Sequence, residues 1–171
     1  MVKKVFITAI IVFFVVVNLM FTGCAKKQVI KPLQPMAPVT ETEMEEPSLR
    51  GKDYITVPQL ETVYFEYDDA TLKTEARDIL AKNAKWLKEN TEVEIIVEGH
   101  CDERGTTDYN LALGDRRAKS IRNYLIRLGI KGNRIATISY GEEKPVDLRN
   151  NEAAWAKNRR GELLGRIPPK K

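Results

Sequence analysis

Histidine is nearly absent from this chain: His100 is the only one in 171 residues. A metal site needs several ligands at suitable spacing, and only Cys101, Asp102 and Glu103 stand near that histidine in the sequence, so no metal or other cofactor is expected. Cysteine is scarce as well. Cys24 and Cys101 sit in very different contexts, and the reading of Cys24 below leaves no disulfide between them. No polybasic run exists. The formal net charge is +4, two of the positive charges are Lys3 and Lys4, and the remainder is spread over both signs. That pattern excludes the electrostatic footprint of a nucleic-acid binder. Long hydrophobic runs are limited to one: Val5 to Phe21, interrupted only by Thr8 and Asn18, is shorter than the roughly 20 apolar residues of a spanning helix and fits a secretory signal better, the plainer alternative being an uncleaved anchor helix.

What stands at the N-terminus reads as a secretory signal. Met1 to Lys4 is a short positive segment, the apolar run follows, and the run ends in Phe21-Thr22-Gly23-Cys24. Small residues before a cysteine resemble a lipobox, the recognition site of the lipoprotein signal peptidase. The chemistry needs a thiol to accept a diacylglyceryl group, and small side chains beside the scissile bond. Phe21 departs from the leucine usual at that position. Residues 1–23 are therefore expected to be a signal peptide and Cys24 a lipidated N-terminus, unavailable for a disulfide. Two or three acyl chains hold a protein on a membrane far longer than one does. Ala25 follows, where an Asp favours inner-membrane retention in enteric bacteria, so export to the outer membrane is expected.

Residues 24–58 carry Pro32, Pro35, Pro38, Pro47 and Pro58, with Glu41, Glu43, Glu45 and Glu46, and show no hydrophobic period. This composition predicts a solvated tether. At about 3.1–3.3 Å per residue, such a segment stretches to on the order of 100 Å.

A domain is expected over residues 59–171. Val63, Phe65 and Tyr67 alternate with polar neighbours and predict a strand, with Asp68 or Asp69 capping a following helix. Leu72, Ala76, Ile79, Leu80, Trp86 and Leu87 mark the apolar side of that helix, which ends near Asn90. Val93, Ile95 and Val97 predict a second strand, and 99–108 a polar loop. A second helix is expected from Tyr109 to Gly129, with a core stripe of Leu111, Gly114, Ala118, Ile121, Leu125 and Leu128. A strand over 134–140, a short helix capped by Asn150 or Asn151, and a last strand over 160–167 complete the set. Strands alternating with helices point to an α/β fold, a two-layer sandwich of a small mixed β-sheet with helices on one face.

The stretch Glu98-Gly99-His100-Cys101-Asp102-Glu103-Arg104-Gly105, then Tyr109-Asn110, Leu113 and Arg116-Arg117-Ala118, resembles the OmpA-like peptidoglycan-binding domain, and within it the peptidoglycan-associated lipoproteins. Val63-Tyr64-Phe65, Ser139-Tyr140-Gly141, Glu143-Lys144-Pro145 and Asn158-Arg159-Arg160 add to the resemblance, which covers nearly all of 60–165. The resemblance implies non-covalent binding of peptidoglycan through the diaminopimelate residue of its stem peptide, with no catalysis. It further implies a lipid anchor in the outer membrane, a domain in the periplasm, and TolB and other Tol components as protein partners, in envelope integrity and cell division.

Site residues carried over by the resemblance are Asp102 for the ligand ammonium and Arg117 for a carboxylate, with Tyr67, Asp68, Thr106, Asn110 and Leu113 around them. The residue types suit that ligand: a carboxylate answers an ammonium, and a guanidinium offers a planar fork to a carboxylate. Asn110, Leu113 and Arg117 share one helical flank. Each residue also has a plainer reading. Asp102 could brace its loop, Arg117 pair with Asp115 or Glu103, Asp68 cap a helix, and Tyr67 pack on the sheet. Arg159 and Arg160 fit a pocket or structural pairing equally. As ligand-facing charges, Asp102 and Arg117 are expected to be removable at little loss of stability. A cell-wall hydrolase is disfavoured, since adjacent Asp102 and Glu103 do not by themselves place two carboxyls across a bond. A motor-stator subunit is disfavoured because Val5 to Phe21 has no ionisable residue.

Overall fold

The computed structural model describes residues 53–167; the expected signal peptide, Cys24 and most of the expected tether lie outside the described residues. In chain order the elements are β1 (Ile55–Thr56), β2 (Val63–Tyr64), α1 (Thr74–Glu89), β3 (Glu94–His100), α2 (Thr107–Arg127), a 3-10 turn (Gly132–Arg134), β4 (Ile135–Gly141), α3 (Glu152–Asn158) and β5 (Arg160–Arg166).

The strands form one mixed sheet. β3 lies at its centre, parallel to β4 and antiparallel to β5, while β1 and β2 both pair antiparallel with the far edge of β5. The parallel pair β3 and β4 needs a crossover, which α2 supplies. Alternation then sorts the side chains. Ile95 and Val97 on β3, Leu163 on β5 and Ile135 on β4 turn to one side, where they pack with Ala76, Leu80, Ala84 and Leu87 of α1 and Ala118, Ile121 and Leu125 of α2. Both long helices share this single core, so the expected two-layer α/β sandwich is what the chain adopts. Among the described residues no helix is long and apolar enough to cross a membrane.

Polar groups fasten the layers. Asn83, fully buried on α1, exchanges two hydrogen bonds with the backbone of Glu61, at 3.0 and 2.8 Å. Arg134 donates to the carbonyls of Leu87, Asn90 and Val93, which collects the open C-terminal end of α1 onto the start of β4. α2 ends in a Schellman motif: Gly129, at φ +92°, donates to Ile126 O, and Ile130 donates to Leu125 O. The glycine expected at this position is thus used for its left-handed conformation.

Several local expectations need correction. The tether does not persist to residue 58, because Ile55 and Thr56 pair with Gly165 and Leu164. Both side chains are exposed, so this strand is held by backbone bonds and leaves no hydrophobic period to read. The strand expected over 63–67 is regular only at Val63 and Tyr64. Asp68 and Asp69 do not cap α1, which begins at Thr74 behind Lys73 with no side-chain cap. Asp69 instead accepts from the Thr71 N–H at 2.8 Å, closing a tight turn before the helix. Asn151, of the two candidates, is the cap of α3. The stripe of α2 holds at Gly114, Ala118, Ile121 and Leu125, but not at its first residue: Leu111 is 44% exposed, whereas Asn110, Leu113 and Arg117 are also buried. Polar side chains occupy those inner positions because they bond to loop backbone, a reason that an apolar period cannot register.

Candidate functional site

β3 delivers the chain to a loop, residues 101–106, that turns into α2. Cys101 N–H donates to Gly141 O at 2.7 Å and holds the loop against the end of β4. Asn110, buried on the first turn of α2, reaches back from below: its Nδ2 lies 3.3 Å from the carbonyls of both Asp102 and Arg104 and 2.6 Å from Glu142 Oε2. Gly105 passes over Asn110 at φ +119°, a conformation that side chains rarely adopt. Thr106 caps α2 by accepting from Tyr109 N–H at 3.3 Å.

The turn after β2 forms the opposite wall. Asp68 is the one non-glycine residue at positive φ among the described residues, at +53°. This sparsely populated conformation aims its carboxylate at Tyr109, whose hydroxyl donates to it. Between loop and wall lies a pocket of about 260 Å³. It is lined by acids, Asp68 and Asp102, and by bases, Arg104, Arg117 and Arg159, with Tyr67, Tyr109 and Leu113 as apolar sides. Of the seven binding residues expected from the sequence, six line this pocket and the seventh, Thr106, serves as the cap of α2.

The charges are tightly interlocked. Asp102, 3% exposed, accepts from Arg104 through Nε at 3.1 Å, Nη2 at 2.7 Å and the backbone N–H at 3.1 Å, and from Arg159 Nη1 at 3.2 Å. Burial, the largest single influence, pushes its pKa up, but these hydrogen bonds outweigh it and hold the carboxyl below its ordinary value. Arg104 is held between Tyr67 and Trp155, its guanidinium carbon 4.1 and 4.2 Å from the two ring centres. Its side chain keeps 29% of its surface open, so it is the guanidinium of the site that reaches solvent.

Arg117 is different: it is wholly buried. Its fork donates to Asp69 O at 2.8 Å, His100 O at 2.8 Å and Glu66 O at 2.9 Å, and Nη1 lies 3.3 Å from Cys101 Sγ. Burial pulls its pKa below the ordinary arginine value. It pairs directly with neither Asp115 nor Glu103, and it ties the loop after β3 to the turn after β2. The expectation that Asp102 and Arg117 could both be removed at little loss of stability does not survive this burial.

Arg159 and Arg160, undecided in the sequence, part company. Arg159 enters the pocket and also donates to Phe65 O at 3.1 Å and Glu152 Oε1 at 2.8 Å. Arg160 pairs with Glu162. Cys101 is a free, buried thiol pushed up in pKa by that burial, 3.3 Å from Asn110 O; no base activates it. Sequence reasoning passed over Arg104, Tyr109 and Trp155, and their signal was available only in part: Arg104 lies within the motif, but Trp155 comes to it from α3, some 50 positions away.

A family model described as the OmpA family matches residues 64–159. Among curated proteins, the peptidoglycan-associated lipoprotein of Pseudomonas putida is 50% identical over 102 residues, which cover 60% of this chain and 61% of that protein. The chain spans about three fifths of the length of the first such relatives it matches. The crystal structure of the peptidoglycan-associated lipoprotein from Burkholderia pseudomallei matches with a TM-score of 0.60 and 40% identity, over 61% of this chain and 89% of that one. The C-terminal domain of Helicobacter pylori MotB matches with a TM-score of 0.59 at 22% identity, over 63% and 85% of the two chains, and shares the fold alone.

Proposed function

Because the chain belongs to the OmpA family, we propose that it is a non-catalytic, lipid-anchored protein that grips peptidoglycan and tethers the outer membrane to the cell wall. The observation that carries this reading is a pocket of about 260 Å³ whose walls present both signs of charge. That is room for one amino-acid-sized group, and charges of both signs suit the zwitterionic end of a diaminopimelate residue better than a sugar or an apolar ligand. Its ammonium would lie between Asp68 and Asp102. Its carboxylate would be met by Arg104 at the mouth and Arg117 at the floor, with Tyr67 as a side wall and Asn110 holding the loop in shape.

The resident bonds set the order of events. Asp102 already accepts four hydrogen bonds, all from arginines. Asp68 is exposed and met by a neutral phenol, so it is the carboxylate that first receives the ammonium. Deeper engagement requires Arg104 to turn from Asp102 toward the ligand. Catalysis is disfavoured by the same bonds. Glu103 accepts from Trp155 Nε1 at 3.1 Å and Asp102 is saturated by arginines, so neither stands ready as a general acid or base.

Calorimetry with an uncrosslinked, diaminopimelate-containing muropeptide tests this. Asp68→Asn and Asp102→Asn each remove one charge while keeping the side-chain shape. Loss of a charge-assisted hydrogen bond is worth roughly 1.5–3 kcal/mol, so each variant is expected to bind about ten- to a hundred-fold more weakly. Asn tolerates a positive φ at least as well as Asp, so Asp68→Asn is expected to melt like the parent. Parental affinity in both variants would sink the assignment. The Tol partners implied by the resemblance would dock over the same mouth, and competition between TolB and muropeptide for the chain decides that point.

The anchor belongs to the same reading. The mature chain would begin at lipidated Cys24, with the proline- and glutamate-rich tether giving the domain its reach. Cys24→Ser is expected to leave an unprocessed precursor, visible by mass as a chain that retains residues 1–23 and gains no lipid. Cleavage after Gly23 in that variant, with normal outer-membrane partitioning, would refute the anchor.

A further inference from the structure

On the sheet face turned away from α1 and α2, three side chains that the pocket does not use come together. The register of β3 and β5 sets Glu98 directly opposite Glu162. His100, two residues along β3, projects from the same face. One His100 ring nitrogen and one oxygen from each glutamate all lie within 4.8 Å of one another. His100 is 1% exposed, and neither of its ring nitrogens has a hydrogen-bond partner among the described residues. Nε2 stands 3.5 Å from Glu98 Oε2, an ion-pair distance that misses hydrogen-bond geometry. Stacking on Tyr140, with ring centres 5.6 Å apart, fixes the imidazole plane.

Two carboxylates facing each other across a strand pair repel. A buried imidazole with nothing on either nitrogen forfeits the hydrogen bonds it made to water. One group placed between all three would relieve both penalties. We propose that Glu98, His100 and Glu162 form a binding site for a single zinc-class divalent cation, completed by water from the open side. At metal–ligand distances of about 2.0–2.2 Å, tetrahedral ligands sit roughly 3.3–3.6 Å apart. Glu98 and His100 already stand at that spacing. Glu162 is 30% exposed along its side chain, and rotation would close a remaining gap of at most about 1.5 Å. An imidazole nitrogen with two carboxylates favours zinc and its neighbours over calcium or magnesium, which take all-oxygen shells.

Two cations flank the cluster and limit its affinity. Arg160 holds Glu162 Oε2 through Nε and Nη2, both at 3.2 Å, which leaves Oε1 for the metal. Lys144 Nζ lies 3.5 Å from the centre of the Tyr140 ring. The site is distinct from the pocket but adjacent to it, since the His100 carbonyl is held by Arg117.

The test titrates zinc chloride into the full, untagged, metal-free chain in detergent micelles. Expected are one equivalent bound, a rise in melting temperature at saturating zinc, and displacement of the His100 ring-nitrogen resonances. Glu162→Gln is expected to bind at least tenfold more weakly while melting near the parent in the absence of metal. The NMR signal of His100 keeps the proposal testable even if His100→Gln fails to fold. Absence of saturable binding up to millimolar zinc would overturn it, as would binding that leaves the His100 ring unmoved or is unchanged in Glu162→Gln.

Discussion

Arg117→Ala is expected to lower the stability of the domain by about 3–5 kcal/mol, the sum of three buried carbonyls left unpaired and the cavity left by the side chain. Arg117 has no exposed surface, and its fork joins three backbone carbonyls from two separate segments, Glu66 and Asp69 after β2 and His100 at the end of β3. Alanine would leave those carbonyls buried and unpaired, each costing on the order of 1 kcal/mol or more, and would open a cavity where the side chain lay. Denaturant unfolding should show the loss as a lower midpoint at an unchanged slope, and a thermal scan as a drop of more than about 10 °C. Arg117→Lys separates charge from geometry. A single ammonium cannot span carbonyls placed around a planar fork, so the lysine variant is expected to recover only part of the loss. Full recovery would mean that positive charge alone matters there. A stability near the parent in Arg117→Ala would show that water replaces the guanidinium, and would restore the view of Arg117 as a purely ligand-facing residue.

Gly99→Ala should be comparably damaging, by about 3 kcal/mol or more, because the new Cβ meets a backbone carbonyl and no flexible side chain can absorb the clash. A Cβ on Gly99 would overlap the carbonyl oxygen of Gly114. Gly114 returns the constraint, since its own Cβ would fall 2.8 Å from Gly99 O and onto the Ser139 hydroxyl. These glycines let α2 lie against β3 at backbone distance. Separating them would lift the helix from the sheet at the root of the loop that carries Asp102 and Arg104. Circular dichroism and denaturant melts check the fold, and muropeptide calorimetry under native conditions checks the pocket. A variant that melts within a few degrees of the parent and binds muropeptide normally would show that helix and strand can slide apart without consequence. In Gly114→Ala the Ser139 hydroxyl is a side chain that can move, but the Gly99 carbonyl cannot, so the loss is expected to be smaller without vanishing.

The site itself was legible in composition and less so in arrangement. Asp102, Arg117, Asn110 and Leu113 lie in one linear motif, Tyr67 and Asp68 were added only by the wider resemblance, and the fold gathers all six around one pocket. Their physical roles were not readable from spacing. Whether a helix arginine faces ligand, solvent or core depends on which carbonyls come within 3 Å of it, and those of Glu66 and Asp69 lie about 50 positions away. The same distance in sequence hid the Tyr67–Arg104–Trp155 stack and the meeting of His100 with Glu162.

Alternation and helical period, which are local properties of the backbone, determined from the sequence alone that the chain would form a mixed α/β sandwich. They located β3, α1, α2, β4 and β5 to within a few residues, because burying one face of each element requires an apolar period that can be read. Elements stabilised by backbone pairing or buried polar groups carry no such period. β1 joins the sheet through main-chain bonds to Gly165 and Leu164 with both side chains exposed. The inner flank of α2 is set by Asn110 and Arg117, which look like surface residues until their carbonyl partners are in place. Tertiary structure alone decided these points, since a hydrogen bond between distant segments exists only once the chain has brought both ends together.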